Sequence, residues 1–328
     1  MIALPDGYSL RFATMDDLEA AVDLTNIRSM ADIGEGDITV ARMRGWWLEP
    51  ERNLATDNWL ISAPDGQLAA YADYSEYDPY EENGFDYAVH PNHVGIGLEQ
   101  VIYQTAERRS QQSIPKASPD ARVTLQTRVW ASNHVDQTLL TECGYEQVRV
   151  WNRMLIEMHH LPPEPIWPSA ISVRTLLPGE VDAVHDAWED AQRDEFGFTS
   201  LTREEFQTWF VDEEEHFDPT LWFLAINDEN GEIAGYTLCR WERPGEPATG
   251  HIRYVAVRRP YRRRGIAHAL LLHTFREFHH RGKRKVGLAV DSTSLTGADR
   301  LYERAGMRAT HQMLVFEKVL RARASEHG

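Results

Sequence analysis

Apolar residues along the chain fall into short alternating runs separated by stretches spaced at three and four, a pattern that predicts strands and amphipathic helices in turn. From Ala170 onward the order is clear. SVRTL reads as a short strand, LPGEVDAVHDAWEDAQRDEF as an amphipathic helix, and TREEFQTWFVDEE as a second helix. Thr202 opens that second helix with Glu205 three residues on, the spacing of a capping box. TLWFLAIND and IAGYTLCRWE are strands joined by a turn around Asn230 and Gly231. GHIRYVAV is another strand, and GIAHALLLHTFREFHH is a helix that gathers Ala267, Leu271, Phe275 and Phe278 toward one face. KVGLAV is a buried strand, GADRLYERAG a short helix stopped by Gly306, and HQMLVFEKVL a closing strand.

The same order occurs earlier. YSLRFAT is a strand, MDDLEAAVDLTNIRSM a helix, and NWLISAPDGQLAAYADY a strand, turn and strand. GFDYAVHPNHVGIGLEQVIYQTAERR gives strand, turn and helix, RVTLQTRVW a strand, and HVDQTLLTECGY a helix. Between the two runs lies HHLPPEPIWPSA, whose four prolines disfavour both helix and central strand. A unit repeated after roughly 150 residues is a duplicated domain, since solenoid repeats run about 20–50. The expected fold class is α/β (α+β), two tandem domains with a mixed central sheet flanked by helices in each. The expected boundaries are a first domain at 1–158, a linker at 159–169, a second domain at 170–320 and a tail at 321–328.

Composition narrows the setting. With 328 residues, 42% of them hydrophobic and 26% charged, the chain can bury two cores and is not disordered by composition. No run of 18 apolar residues predicts a membrane span, and the first residues lack the pattern of a signal peptide. Cys143 and Cys239 are too few for a disulfide framework or a zinc site, so a reducing cytoplasm is expected and no metal is implied. A net charge of −17 argues against a nucleic-acid partner and is compatible with an amine-bearing small substrate, though solubility alone also accounts for it. The charge is uneven: residues 1–158 carry −13, with 12 basic and 25 acidic side chains, and the remainder carries −4.

Against that background, VAVRRPYRRRGIAHALL places Arg258, Arg259, Arg262, Arg263 and Arg264 on one strand-to-helix turn. A strand entering a helix through glycine gathers backbone N–H groups at the positive end of the helix dipole, which is an anion site suited to phosphates. Gly265 lets the backbone come close to a phosphate, Ala267 keeps the next approach small, and the arginines supply charge. The turn lacks the G-x-x-x-x-G-K-[ST] of a nucleotide loop and the three glycines of a dinucleotide fingerprint. A solvated basic turn is the competing reading.

The turn resembles the pyrophosphate-binding motif Q/R-x-x-G-x-G/A of the GNAT superfamily of N-acetyltransferases, with Arg262, Gly265 and Ala267 in its three places. Downstream, LAVDSTSLTGADRLYERAGM resembles the second family motif through Ala298, Leu301, Tyr302 and Gly306, with Met307 in the aromatic place and Ser294 near the asparagine place. The first copy departs from both. Val94, Gly97 and Glu99 occupy its turn, where Glu99 would repel a pyrophosphate, and Leu140 stands at the tyrosine place, although Asn133 and Gly144 survive.

The resemblance implies acetyl-CoA as cosubstrate, held by Arg262, Arg263, Arg264, Gly265, Ile266, Ala267 and His268, by Ser294, and by the main chain of Val255, Ala256 and Val257. It implies that Tyr302 returns a proton to the leaving thiolate and that the acceptor is a primary amine of a small molecule. A base must take the amine's proton, since such an amine has a pKa of about 10.4. His251 and Glu242 are the candidates, with Asp291 a further one; alternation puts His251, six residues before Val257, on that residue's face. Glu189, Asp190, Asp194 and Glu195 could draw in a cationic amine or form a solvated helix end. Trp46, Trp47 and Trp209 read most simply as packing residues. A non-catalytic acyl-CoA sensor and an enzyme acting on protein or peptide N-termini are the alternative functions, and the oligomeric state is open between monomer and homodimer.

Overall fold

A computed structural model of the chain describes residues 3–49, 52–194, 198–212, 217–243, 246–292 and 298–323. The chain packs as two compact units, Met1–Val150 with His311 onward, and Trp151–Thr310.

The first unit runs β1 (Ser9–Phe12), α1 (Leu18–Ile33), α2 (Val40–Trp47), α3 (Leu54–Asp57), β2 (Asn58–Ser62), β3 (Leu68–Ser75), β4 (Glu82–Val89), α4 (Leu98–Gln111), β5 (Val123–Trp130) and α5 (His134–Glu142). The strand β6 (Glu146–Glu157) follows. The second unit runs β7 (Ile171–Thr175), α6 (Val181–Gln192), α7 (Arg203–Gln207), β8 (Trp222–Asn227), β9 (Ile233–Arg240), β10 (Thr249–Val257), α8 (Ile266–His280), β11 (Lys285–Asp291) and α9 (Ala298–Arg304), and the chain closes with β12 (Arg308–Arg321). The capping box at Thr202 is present, its hydroxyl oxygen accepting from the Glu205 N–H while the Glu205 carboxylate accepts from the Thr202 N–H.

Each unit is a mixed sheet. The first has the order β1-β2-β3-β4-β5-β12 and the second β7-β8-β9-β10-β11-β6. Among the described residues only β4 with β5 and β10 with β11 are parallel; the other neighbours within each sheet are antiparallel. The orders correspond place for place, except that the sixth place in each sheet is taken by the last strand of the other copy. β6 continues from α5 but pairs with β11 over Trp151–Glu157, and β12 continues from α9 but pairs with β5 over Met313–Arg321. Division by sequence copy and grouping by packing differ in that one respect.

Helices cover both faces. In the second unit Leu270, Leu271, Phe275 and Phe278 of α8 pack with Val286 and Leu288 on one face, while Val184, Trp188, Phe206 and Phe210 pack with Trp222 and Leu238 on the other. Large fully buried side chains of this kind each contribute about 1.5–3 kcal/mol. Close fit sets one strict position: a Cβ on Gly250 would lie 2.6 Å from the fully buried Phe278 ring. Gly250→Ala is therefore expected to cost about 1–3 kcal/mol by overpacking, read as a lower denaturant midpoint at unchanged slope.

Candidate active site

The turn after β10 is shaped by its own sequence. Pro260 sits in a single 3-10 turn, Arg259–Tyr261, and the Tyr261 hydroxyl ties it down by donating to Glu232 Oε2 at 2.6 Å. The chain then takes positive φ at Arg263 (61°) and at Gly265 (87°), and Gly265 caps α8. The left-handed region is unfavourable for arginine, so the surrounding turn must hold the backbone there. The first N–H groups of α8, like those of any helix, have no intrahelical acceptors, and left-handed residues just before them favour a concave set of backbone donors. A Cβ at Gly265 would meet no protein atom within 4 Å, so the mouth opens outward. Backbone donors, an open approach and exposed Arg263 and Arg264 fit a pyrophosphate.

The five arginines divide into two sets. Arg258 Nε donates to Asp190 Oδ2 at 2.8 Å, and Arg259 pairs with Asp194. Arg262 is fixed three ways: Nε donates to the Val257 carbonyl at 3.0 Å, one terminal nitrogen to Asp194 Oδ2 at 2.6 Å, and the other to the Ala191 carbonyl at 3.1 Å. Arg259 and then Arg262 hold the Asp194 carboxyl well below the usual range. These three arginines clamp the turn to the end of α6, leaving Arg263 and Arg264 as its exposed charges. Asp190 and Asp194 are thereby engaged by arginine, and Glu189 accepts from the Leu201 N–H at 2.8 Å and the Ser200 hydroxyl at 2.9 Å. These three carboxylates, read as a draw for a cationic amine or a solvated helix end, are thus each engaged within the unit. Glu195 lies outside the described residues, as does Ser294.

β10 and β11 pair over only three positions, Thr249–His251 with Lys285–Gly287. β11 pairs with β6 along its whole length, so beyond His251 the β10 backbone through Val257 parts from β11. Val255 and Val257 pack against the apolar cluster under α8 together with Ile266 and the nine-tenths buried Tyr302 of α9. Ala256 faces the α6 and α7 side. His268 lies one turn into α8, with Nε2 3.4 Å from the Arg304 carbonyl.

His251 stands where the strands part. A bulge at Arg253 shifts the register between Ile252 and Tyr254 and reverses the alternation. Gly250 and Ile252 face α8, so His251 points to the α6 and α7 face, opposite Val257 and Tyr302. The expectation that His251 shares the face of Val257 fails for that reason. Its cross-strand neighbour is Arg240. Burial pushes the Lys283 ammonium below its usual range, and Glu242, just after β9, lies close enough to oppose that shift in part. Asp291 ends β11, buried.

The bulge has a second effect that alternation cannot reveal. It turns Arg253 onto α7, where the guanidinium sits 4.0 Å over the Phe210 ring and donates to the Trp209 carbonyl at 3.2 Å. The helix there loosens into a π-turn, Thr208–Asp212. Bulges and π-turns concentrate at functional sites. Phe210, Phe217, Trp222, Leu238, Arg240 and Arg253 line a small pocket on this face.

Residues 182–307 match the acetyltransferase (GNAT) family. A GCN5-related N-acetyltransferase from Sphaerobacter thermophilus is 35% identical, covers 98% of each chain and superposes with a TM-score of 0.84. The mycothiol acetyltransferase of Salinispora arenicola is 26% identical over 92% of this chain and 94% of its own. A tandem GNAT protein from the clavulanic acid biosynthesis pathway shares the fold, at 16% identity, a TM-score of 0.73, and coverage of 95% of this chain and 98% of its own.

Proposed function

The chain belongs to the GCN5-related N-acetyltransferase family, and on that footing we propose that its second unit moves an acetyl group from acetyl-CoA to a primary amine of a small molecule. Members of the family use acetyl-CoA as cosubstrate. The observation that carries the reading is the gap between β10 and β11, with the anion turn and Tyr302 on one face and His251 on the other. The naming of full-length relatives as mycothiol acetyltransferases supports a small-molecule acceptor.

Bound acetyl-CoA supplies the thioester from which the amine takes its acetyl group. The N–H groups entering α8 hold the pyrophosphate, with Arg263 and Arg264 neutralising it and Arg262 fixing the shape of the turn. The edge of β10 turned away from β9 at Val255–Val257, where Arg262 already takes the Val257 carbonyl, offers its other main-chain groups to an extended arm lying in the gap. The acceptor approaches over Phe210, Trp222, Leu238 and Arg253. His251, directly or through water, takes the amine's proton, with Glu242 as the alternative base. Tyr302 Oη gives a proton to the leaving sulfur.

Arg263→Ala with Arg264→Ala is expected to weaken acetyl-CoA binding about tenfold or more, and the difference from wild type should shrink between 50 and 500 mM salt, because exposed charges are screened. Calorimetry across that salt range measures it. The function itself is tested by following free-thiol release from acetyl-CoA across a panel of amino sugars, amino acids and polyamines. Release that depends on an amine supports the reading. Tight acetyl-CoA binding without release on any amine, peptide N-termini included, would favour an acyl-CoA sensor.

A further inference from the structure

The first unit repeats the turn and fills it. Gly95 and Gly97 take φ of 78° and 100°, matching Arg263 and Gly265 in place and in hand, and Gly97 caps α4 as Gly265 caps α8. Two positions into the helix, where the second copy has Ala267, stands Glu99. Its side chain is fully buried, and Oε1 accepts from the Gly95 N–H at 3.1 Å. The carboxylate thus takes a backbone donor that an incoming anion would need, at the positive end of the helix dipole.

The gap behind it is also spanned. β4 and β5 pair over only three positions, Glu82–Gly84 with Thr124–Gln126, and then part as β10 and β11 do. Val255 of β10 has Tyr87 as its counterpart, and Leu271 of α8 has Tyr103. The Tyr87 hydroxyl donates to Asp136 Oδ2 at 2.9 Å and lies 2.7 Å from the Tyr103 hydroxyl. Asp136 sits in the first turn of α5, just beyond β5, and also accepts from Asn133 Nδ2 at 2.7 Å. A hydrogen bond therefore crosses from β4 to the far side of the gap where Val255, in the second copy, is too short to reach.

We infer that the first unit has an internal substitute for a donor: Glu99 occupies the anion mouth, the Tyr87–Asp136 bond bars the gap, and the chain takes one phosphate-bearing acyl carrier, in its second unit. The count of one rests on the proposed function; the closure of the first unit does not.

Glycine-selective 15N labelling of the whole chain puts reporters at Gly95, Gly97 and Gly265. Inorganic pyrophosphate is the probe, since it asks only about the turns. In wild type, Gly265 is expected to shift and saturate while Gly95 and Gly97 stay still. In Glu99→Ala the Gly95 signal should move before any ligand is added, and Gly95 and Gly97 should then shift and saturate with pyrophosphate, as they do not in wild type. Glu99→Gln keeps the volume and should also release the Gly95 signal if the alanine variant folds poorly. The reciprocal Ala267→Glu should weaken the Gly265 response at least tenfold. Saturable shifts of Gly95 and Gly97 in wild type would overturn the closure, as would an unmoved Gly95 signal in both Glu99 variants. A second titration with acetyl-CoA separates the two ideas: silence at Gly265 sinks the donor assignment of the second unit and leaves the closure, judged by pyrophosphate, standing.

Discussion

Tyr302→Phe is expected to lower kcat about 100-fold, with the dissociation constant for acetyl-CoA unchanged within about twofold, in line with the usual worth of general acid–base assistance. The substitution removes one oxygen and keeps the ring. Tyr302 is nine-tenths buried beside Ile266, Val255 and Val257, so the phenylalanine ring retains that packing and the binding surface. The leaving group is an alkyl thiol, with a thiolate pKa near 8.5 by analogy with cysteine. Such a thiolate departs without a proton more readily than an alkoxide would, which puts the effect at the low end of the range. Steady-state turnover and a direct binding titration on the same preparation decide the matter. If turnover is kept while stability falls, Tyr302 is a core residue and the proton comes from elsewhere.

Ending the chain at Thr310 is expected to unfold the first unit. The deletion strips β5 of its partner over eight registered pairs, from Met313 opposite Trp130 to Arg321 opposite Val123. It takes Leu314 and Phe316 out of the cluster they share with Phe85, Leu125 and Leu140. It also removes the Lys318 ammonium from Glu107, 2.8 Å away. Two large buried side chains are worth about 3–6 kcal/mol together, and the lost ladder adds to that, against a total stability of about 5–15 kcal/mol for a domain. Far-ultraviolet circular dichroism and limited proteolysis should show residues 1–150 digested while Gly265 keeps a dispersed amide signal. Adding a peptide of residues 308–323 in trans should restore protection. An unchanged melting profile would show that the sheet closes without its sixth strand.

Much of this architecture is legible in the sequence, and the illegible part has a common cause. Alternation and three-to-four spacing find β10, the turn and α8 because each element there is one-faced and ends at a residue with special backbone freedom. They find the duplication because those signals recur in order. The helices Val40–Trp47 and Leu54–Asp57 escape, being short and mixed in polarity. Glu146–Glu157 escapes as a strand because its first half is largely exposed and its alternation weak. The trade of last strands cannot be read at all, since β6 and β12 carry no mark of which sheet each completes. At the site, the motif positions Arg262, Gly265 and Ala267 stand out because phosphate binding demands particular backbone shapes. The Arg253 bulge does not, because one inserted residue leaves the local composition unchanged while reversing every face beyond it. The pairing of Asp190 and Asp194 with the arginines is equally hidden, because it depends on distances between elements some 65 residues apart.

The late arrival of β12 sets a timing problem during synthesis. β5 is complete at Trp130, but its partner strand begins at Arg308, so at about 5–20 residues per second the edge of β5 stays bare for roughly 10–35 s. An unpaired edge recruits strands from any nearby chain, and neighbouring ribosomes on one message present many copies of it. The −13 carried by residues 1–158 acts over that interval: nascent first halves repel one another. On this view the acidic first half would count most before β12 exists, while the half-made sheet still has a bare edge.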